Sequence, residues 1–449
     1  FTAEFLYKIR KICINLFRKL RYNQIKNYGG TDVKNTTELK QLFADGAYDG
    51  LLKDIYLDDA LMDYQRQRYV DAVSRYEEIY SAPGRSEIGG NHTDHQNGEV
   101  LAASINLDAI GIVGRLDGNV RVVSGTAPEI QISLEDLEAK EEEQGTTKSL
   151  IKGVLAGIRE HGGKIGGFQT YITSDVLIGA GLSSSAAFET IIGTIVSGLY
   201  NDMKISPVDI AIIGQYAENV YFGKPCGLMD QMASSVGNLV HIDFADKKNP
   251  VIERVECDLE TYGYSLCITD TKGSHADLTA DYAAVPSEMR AAAAVFGREV
   301  LHGVTLEELI DRSAEVREKA GDRALLRAIH FVTENVRVQE EVAALRAGDF
   351  QAFLRGVKAS GDSSFKYLQN VYTSHDVQHQ NVSVALAISE AVLKDKGVSR
   401  VHGGGFAGTI QAFVKNEAVE EYKEIMDKTF GKGACSVLKV RKYGGMKVL

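Results

Sequence analysis

Four short segments hold the side chains able to do chemistry. Residues 82–98 read Ala-Pro-Gly-Arg-Ser-Glu-Ile-Gly-Gly-Asn-His-Thr-Asp-His-Gln-Asn-Gly, crowding Arg85, His92, Asp94 and His95 among glycines. An arginine, histidines and an aspartate together offer the donors and acceptors that a polyhydroxylated ligand requires. His92, His95 and Asp94 also allow a metal reading, although no second ligand cluster lies nearby; a purely structural turn is the third option.

Residues 178–187 read Ile-Gly-Ala-Gly-Leu-Ser-Ser-Ser-Ala-Ala. Gly179 and Gly181 let the backbone approach a ligand closely. Ser183, Ser184 and Ser185 then open a helix, and the unpaired N–H groups of a first helical turn make an anion site. The hydroxyls add donors, and a serine oxygen can ligate Mg²⁺. A P-loop is excluded because no lysine follows the glycines. A dinucleotide fold requires an acidic residue ending the next strand, whereas Asp202 follows a helix. The bland alternative is a glycine turn capped by Ser183.

Residues 223–231, Gly-Lys-Pro-Cys-Gly-Leu-Met-Asp-Gln, set Asp230 among small and apolar neighbours. Desolvation raises the pKa of such a carboxyl and a nearby arginine lowers it; ionised, it suits a base or orienting group for a sugar hydroxyl. A lone aspartate is otherwise a helix cap or surface residue. Gly403 to Gly408, before the apolar run Ile410–Val414, suggest backbone crowding against another segment or a phosphate.

The elements that must position these groups follow from periodicity. Residues 35–80 read as helical, with Tyr69, Val70, Val73 and Tyr76 on one face. Period-two alternation over 100–134 marks strands at Val120–Val123 and Ile130–Ile132. A helix spans about 148–161, and 168–178 is a strand running into the glycine loop. Helices dominate 287–396, with short strands near 239–243, 264–270 and 410–414.

Length and composition favour two closely packed domains of a globular protein: 449 residues, 44% hydrophobic and 25% charged. A net charge of −11 argues against nucleic-acid binding. Five scattered cysteines without a CxxC pair exclude a disulfide framework or zinc site and suit a reducing cytoplasm. No apolar run is long enough for a membrane span. The first 28 residues carry seven basic side chains against Glu4. They read as a leader that is not native, or as a basic amphipathic helix at a membrane surface.

Taken in order, these segments resemble the galactokinases of the GHMP kinase superfamily over residues 80–415. Ala82 to Asp94 is similar to the galactokinase signature, Gly179 to Ala187 to the superfamily's ATP loop, and Gly403 to Gly408 to its third motif. Pro225 to Gln231 resembles the catalytic segment almost residue for residue, and His275 to Tyr282 is a looser match. The resemblance implies an α+β, two-domain GHMP kinase fold with the site in the cleft. Its mixed-sheet N-terminal domain would comprise 30–225 with 412–449, its ferredoxin-like C-terminal domain 226–411, and residues 1–29 a leader. It implies transfer of the γ-phosphoryl group of ATP to the C1 hydroxyl of galactose. Asp230 would be the base or orienting carboxylate, and Arg85 would lower its pKa and neutralise phosphoryl charge. Ser185 and Glu218 match Mg²⁺-associated positions. His92, Asp94, Gly227 and Tyr282 would hold the sugar, with Asn91 at its C6 hydroxyl.

Two departures bear on substrate. The family usually has Glu at position 91 and Tyr at position 95. A neutral amide at 91 removes repulsion towards a C6 carboxylate, and galacturonokinases share a run like Asp94-His95-Gln96, so galacturonate is the alternative substrate. A non-catalytic sugar and ATP sensor is disfavoured because Ser183 to Ala186, Arg85 and Asp230 are all present. A mevalonate kinase is disfavoured by His92-Thr93-Asp94 and Cys226 to Gln231.

Overall fold

A computed structural model describes residues 36–73, 78–176, 181–247, 249–273 and 278–449. The leader at 1–29, Gly179 and His275 lie outside the described residues.

Alternating side chains along β1 (Glu78–Gly89) and β2 (Glu99–Arg115) build the centre of a large sheet. Further strands are β3 (Asn119–Ser124), β4 (Ile130–Ser133), β5 (Phe168–Ser174), β6 (Leu239–Asp243) and β7 (Val251–Val255). The eight-stranded order is β12-β1-β2-β5-β3-β4, with β12 at Met446–Lys447, and β6 and β7 extending from the other end of β2. Only the β3–β5 pair is parallel, so the sheet is mixed. Period two sends Ile110 and Ile112 of β2 to one face, and Ala109 and Val113 to the other. On the first face lie α1 (Thr36–Ala44), α2 (Asp49–Tyr56) and α3 (Met62–Val73), through Phe43, Leu52, Ile55 and Tyr69. On the second lie α4 (Thr147–Glu160) and α5 (Ser184–Asn201), through Val154, Leu155, Ile191 and Ile195. α6 (Pro207–Tyr216) and α7 (Met229–Val236) pack beside α5.

The smaller sheet has the order β11-β8-β10-β9 and is antiparallel throughout. Its strands are β8 (Tyr264–Asp270), β9 (Gly397–His402), β10 (Thr409–Lys415) and β11 (Cys435–Leu438). The helices of this half are α8 (Thr279–Val295), α9 (Leu306–Asp311), α10 (Ser313–Ala320), α11 (Asp322–Ala347), α12 (Phe350–Ser363), α13 (Asn381–Leu393) and α14 (Val419–Phe430). One continuous apolar core joins the two sheets: Ile88, Leu101 and Ile105 of the large sheet share it with Leu266, Ile268 and Phe413 of the small one. Loops at this seam are therefore held from both sides.

Sheet membership crosses the boundaries expected at 225 and 412. β6 and β7 complete the large sheet, whereas β10, α14 and β11 belong to the small one. The chain returns only at its end, where Ile105 bridges Val440 and β12 pairs with β1. The helix expected up to Tyr80 is described as far as Val73, residues 74–77 lie outside the described residues, and Tyr80 lies in β1 opposite Gly111. Pairing with β2 overrides the local periodicity there. Arg85, read as a loop residue, is also on β1, between register shifts at Pro83/Arg85 and Glu87/Gly89.

Candidate active site

Bulges re-aim side chains, and the one before Arg85 turns its guanidinium towards the start of α7. There Nε donates to Asp230 Oδ1 at 2.7 Å and one terminal nitrogen to Oδ2 at 2.8 Å. The other terminal nitrogen donates to the Gly181 carbonyl. Burial pushes the Asp230 carboxyl up, but the Arg85 charge and its hydrogen bonds, with Ser183, outweigh this and hold it below the usual aspartate value. Asp230 is therefore an ionised, oriented carboxylate rather than a helix cap.

Ser183 immediately precedes α5 and adopts φ +57°, a left-handed conformation unfavourable for a residue with a Cβ. Its hydroxyl does not cap the helix; it donates to Asp230 Oδ2 at 2.5 Å. With no cap from Ser183, the first-turn N–H groups of this 18-residue helix are not taken by a side chain among the described residues, so its positive end suits an anion. The capped-turn reading does not hold for Ser183. Ser184 and Ser185 lie in the first turn, and Ser185 Oγ donates to Glu218 Oε1 at 3.2 Å.

Glu218 sits on a π-helical turn, Ala217–Phe222, that continues α6. Its side chain is only 4% exposed, and Oε1 also accepts from Lys224 Nζ at 3.0 Å. Among the described residues no group of three or more His, Cys, Asp or Glu could hold a metal alone. The pair nevertheless fits a hard cation that other oxygens also ligate: a hydroxyl and a carboxylate oxygen converge, and an ammonium already contacts that oxygen.

The 82–98 segment meets the 403–408 turn. Asn91 is wholly buried; its Nδ2 donates to Glu87 Oε1 at 2.9 Å and to the Gly403 carbonyl at 2.7 Å. Its Oδ1 accepts from Asn370 Nδ2 at 2.8 Å and from Ser364 Oγ at 3.2 Å. All the hydrogen-bonding capacity of this amide is thus used within the protein. Glu87 is in turn paired with Arg400 at 2.7 Å, both buried. Asn91 therefore shapes a wall through its neighbours.

His92, at φ +60°, lies with Nε2 3.0 Å from the Gly404 carbonyl. A carbonyl only accepts, so Nε2 carries the hydrogen and Nδ1 is left as the acceptor. Burial and then His95 lower its pKa to about 4, keeping it neutral. Tyr282 donates its hydroxyl to the Gly405 carbonyl at 2.6 Å, and burial raises it to about 12. Gly405 has φ +79°, and a Cβ there would meet the Asn370 carbonyl at 2.0 Å; only glycine fits. Gly227 is constrained by a side chain instead of backbone: a Cβ would stand 2.2 Å from Asp94 Oδ2. Asp94 is thereby seated against the segment leading to Asp230.

Arg85, Asp230 and Ser183 thus form one hydrogen-bonded group and Ser185 and Glu218 another, both at the start of α5, and Asn91, His92, Asp94, Gly227 and Tyr282 line the segments beside them. Sequence reading did not single out Glu189, Gln231, Lys224, Glu87 or Arg400. Glu218, Lys224 and Gln231 are brought together only by the π-helical turn, which leaves no simple periodic signal. Glu87 and Arg400 lie on β1 and β9, neither of which the periodicity marked as a strand, so nothing local pointed to their buried pair.

Residues 149–238 match the GHMP kinases N terminal domain, and residues 67–115 the galactokinase galactose-binding signature. A galactokinase of Glaesserella parasuis is 32% identical over 357 residues, covering 78% of this chain and 88% of that protein. A galactokinase of Streptomyces coelicolor is 29% identical, covering 79% and 89%. The Lactococcus lactis galactokinase structure, complexed with galactose, shares the fold with a TM-score of 0.70 at 23% identity, covering 86% of this chain and 100% of that one. This chain belongs to the galactokinase family of the GHMP kinases.

Proposed function

We propose that this chain transfers the γ-phosphoryl group of ATP to the C1 hydroxyl of galactose, giving galactose 1-phosphate and ADP. The observation that carries this reading is the two-pronged Arg85–Asp230 pair at the uncapped start of α5, beside the segments that hold His92 and Asp94. Phosphoryl transfer demands positioning and charge stabilisation more than covalent chemistry from the protein, and these groups supply both.

ATP is the second substrate, its phosphates received by the Gly181–Ser185 turn and the positive end of α5. Ser185 and Glu218 would hold Mg²⁺, which when bound neutralises charge on the phosphates. His92 Nδ1, the Asp94 carboxylate, the Gly227 backbone and the Tyr282 wall orient the sugar so that its C1 oxygen faces Asp230. As the C1 oxygen bonds to the γ-phosphorus and the bond to ADP breaks, the hydroxyl proton passes towards Asp230. The low pKa of that carboxylate favours orienting the hydroxyl first and taking the proton late. Arg85 neutralises charge on the phosphoryl in passage.

Galacturonate is the second reading; it rests on the run Asp94-His95-Gln96, because the Asn91 amide is consumed by Glu87, Gly403, Ser364 and Asn370 and does not face the sugar. Cytoplasmic residence is part of the proposal, in keeping with the four free cysteines among the described residues. ADP release measured over galactose, galacturonate, glucose and N-acetylgalactosamine is the test. Galactose should lead. Turnover of galacturonate alone would move the assignment to the uronic acid, and turnover of neither would overturn it.

A further inference from the structure

Asp230 and Gln231 are neighbours in the first turn of α7 but face different partners. Asp230 meets Arg85 and Ser183. Gln231, wholly buried, places Nε2 between two carboxyl groups, 3.0 Å from Glu189 Oε2 and 2.8 Å from Glu218 Oε2. An amide nitrogen carries two hydrogens, so these bonds use both. Oε2 of Glu218 is thereby fixed, and Oε1 is left turned to Ser185 Oγ and Lys224 Nζ.

Glu189 lies on α5 one turn beyond Ser185 and is 1% exposed. Its Oε1, like Gln231 Oε1, has no hydrogen-bond partner among the described residues. Burial, and then the negative charge of Glu218, raise the Glu189 carboxyl well above the usual value. An otherwise costly buried arrangement is kept directly behind the Ser185–Glu218 pair, with Cys226 Sγ also 3.7 Å from Gln231 Nε2.

We propose that Gln231, braced by Glu189, is a positioning residue that aims Glu218 Oε1 at a divalent cation shared with Ser185. Because Gln231 adjoins Asp230, the same helical turn sets both the acceptor-activating carboxylate and the cation-facing one. This inference rests on the Ser185–Glu218 reading above, and the experiment separates the two.

Mn²⁺ is titrated into the protein with ADP and no sugar, free Mn²⁺ being read by electron paramagnetic resonance. Wild type, Gln231→Met and Glu218→Gln are compared, with melting temperature and galactose KM recorded for each. Removing a partner that orients a metal ligand costs about 10–100-fold in metal affinity. Gln231→Met should lose Mn²⁺ affinity by that factor, while galactose KM stays within about two-fold and the protein melts cooperatively. Weaker binding in Glu218→Gln but not in Gln231→Met overturns the positioning role. Unchanged binding in Glu218→Gln overturns the cation reading beneath it. A galactose KM that rises as far as Mn²⁺ affinity falls marks general disruption, and also overturns the inference. Should Gln231→Met not fold, Gln231→Asn enters the same series. It keeps an amide one methylene short of the bridge, and wild-type Mn²⁺ affinity in it counts against the proposal.

Discussion

Ser183 stands at the entrance of α5, yet its hydroxyl is turned to Asp230 Oδ2, 2.5 Å away, instead of to the helix. One contact therefore does two things: it leaves Ser183 off the helix end, and it helps keep a half-buried carboxylate charged.

Removing that hydroxyl separates the effects. Burial raises the Asp230 pKa, Arg85 lowers it, and Ser183 lowers it further. Ser183→Ala should move it upward, towards the ordinary aspartate value. Activity that needs the ionised form falls as pH drops through the pKa, so the acid limb of the kcat/KM profile should move to higher pH. The upward direction of that movement is the readout, since Ser183 donates to the charged form. An acid limb unmoved from wild type would show that Ser183 does not tune this carboxylate.

Asp230→Asn keeps the shape and removes the charge. Transfer should fall by about a hundredfold to ten-thousandfold, the usual range for a positioned base, with galactose binding retained in calorimetry. Turnover near wild type would remove Asp230 from the mechanism.

Arg85→Lys tests the guanidinium fork. One ammonium cannot serve Asp230 Oδ1, Asp230 Oδ2 and the Gly181 carbonyl together. We expect kcat to fall about a hundredfold, comparable to loss of a transition-state donor. Single-turnover kinetics will show whether the loss lies in transfer.

Asn91→Asp exchanges two donors for acceptors facing Glu87 Oε1 and the Gly403 carbonyl. A destabilisation of about 2–4 kcal/mol is expected in urea unfolding. Adding Glu87→Gln, which restores a donor, should recover part of it. Additive losses in this double-mutant cycle would deny the coupling.

Gly227→Ala drives a methyl group against Asp94 Oδ2. Galactose KM should rise about ten-fold, with ATP KM unchanged, as expected for a displaced positioning group. Steady-state kinetics with each substrate varied checks the split.

Much of this arrangement was legible in the residues. The alternation of β3 and β4, the apolar stripe of α4 and the strands at 239–243, 264–270 and 410–414 all formed where periodicity put them. The glycine and serine segments and Asp230 stood out because few ordinary turns concentrate such groups. What could not be read arises from contacts between distant segments. Arg85 lies on a strand because β2 pairs with it, and Tyr80 is drawn into the same pairing against its helical spacing. Asn91 looks ligand-facing from its neighbours, but Glu87, Ser364 and Asn370, the last two far along the chain, consume its amide. The Glu189–Gln231–Glu218 bridge depends on a π-helical turn with no periodic signature.

The closing of the large sheet has a consequence for how this protein is made. Lys447 meets Glu78 across 369 residues of sequence, and the buried Arg441 meets Asp108 across 333. Contacts so remote must wait for loop closure, which slows folding. On a ribosome, β1, the strand that carries Arg85, would emerge before β12 and remain without this outer neighbour while the 369 residues from Glu78 to Lys447 are made. During that interval an open strand edge is exposed to other chains. Chaperone demand and aggregation during synthesis should therefore track the β12 segment more closely than the loops around Asp230.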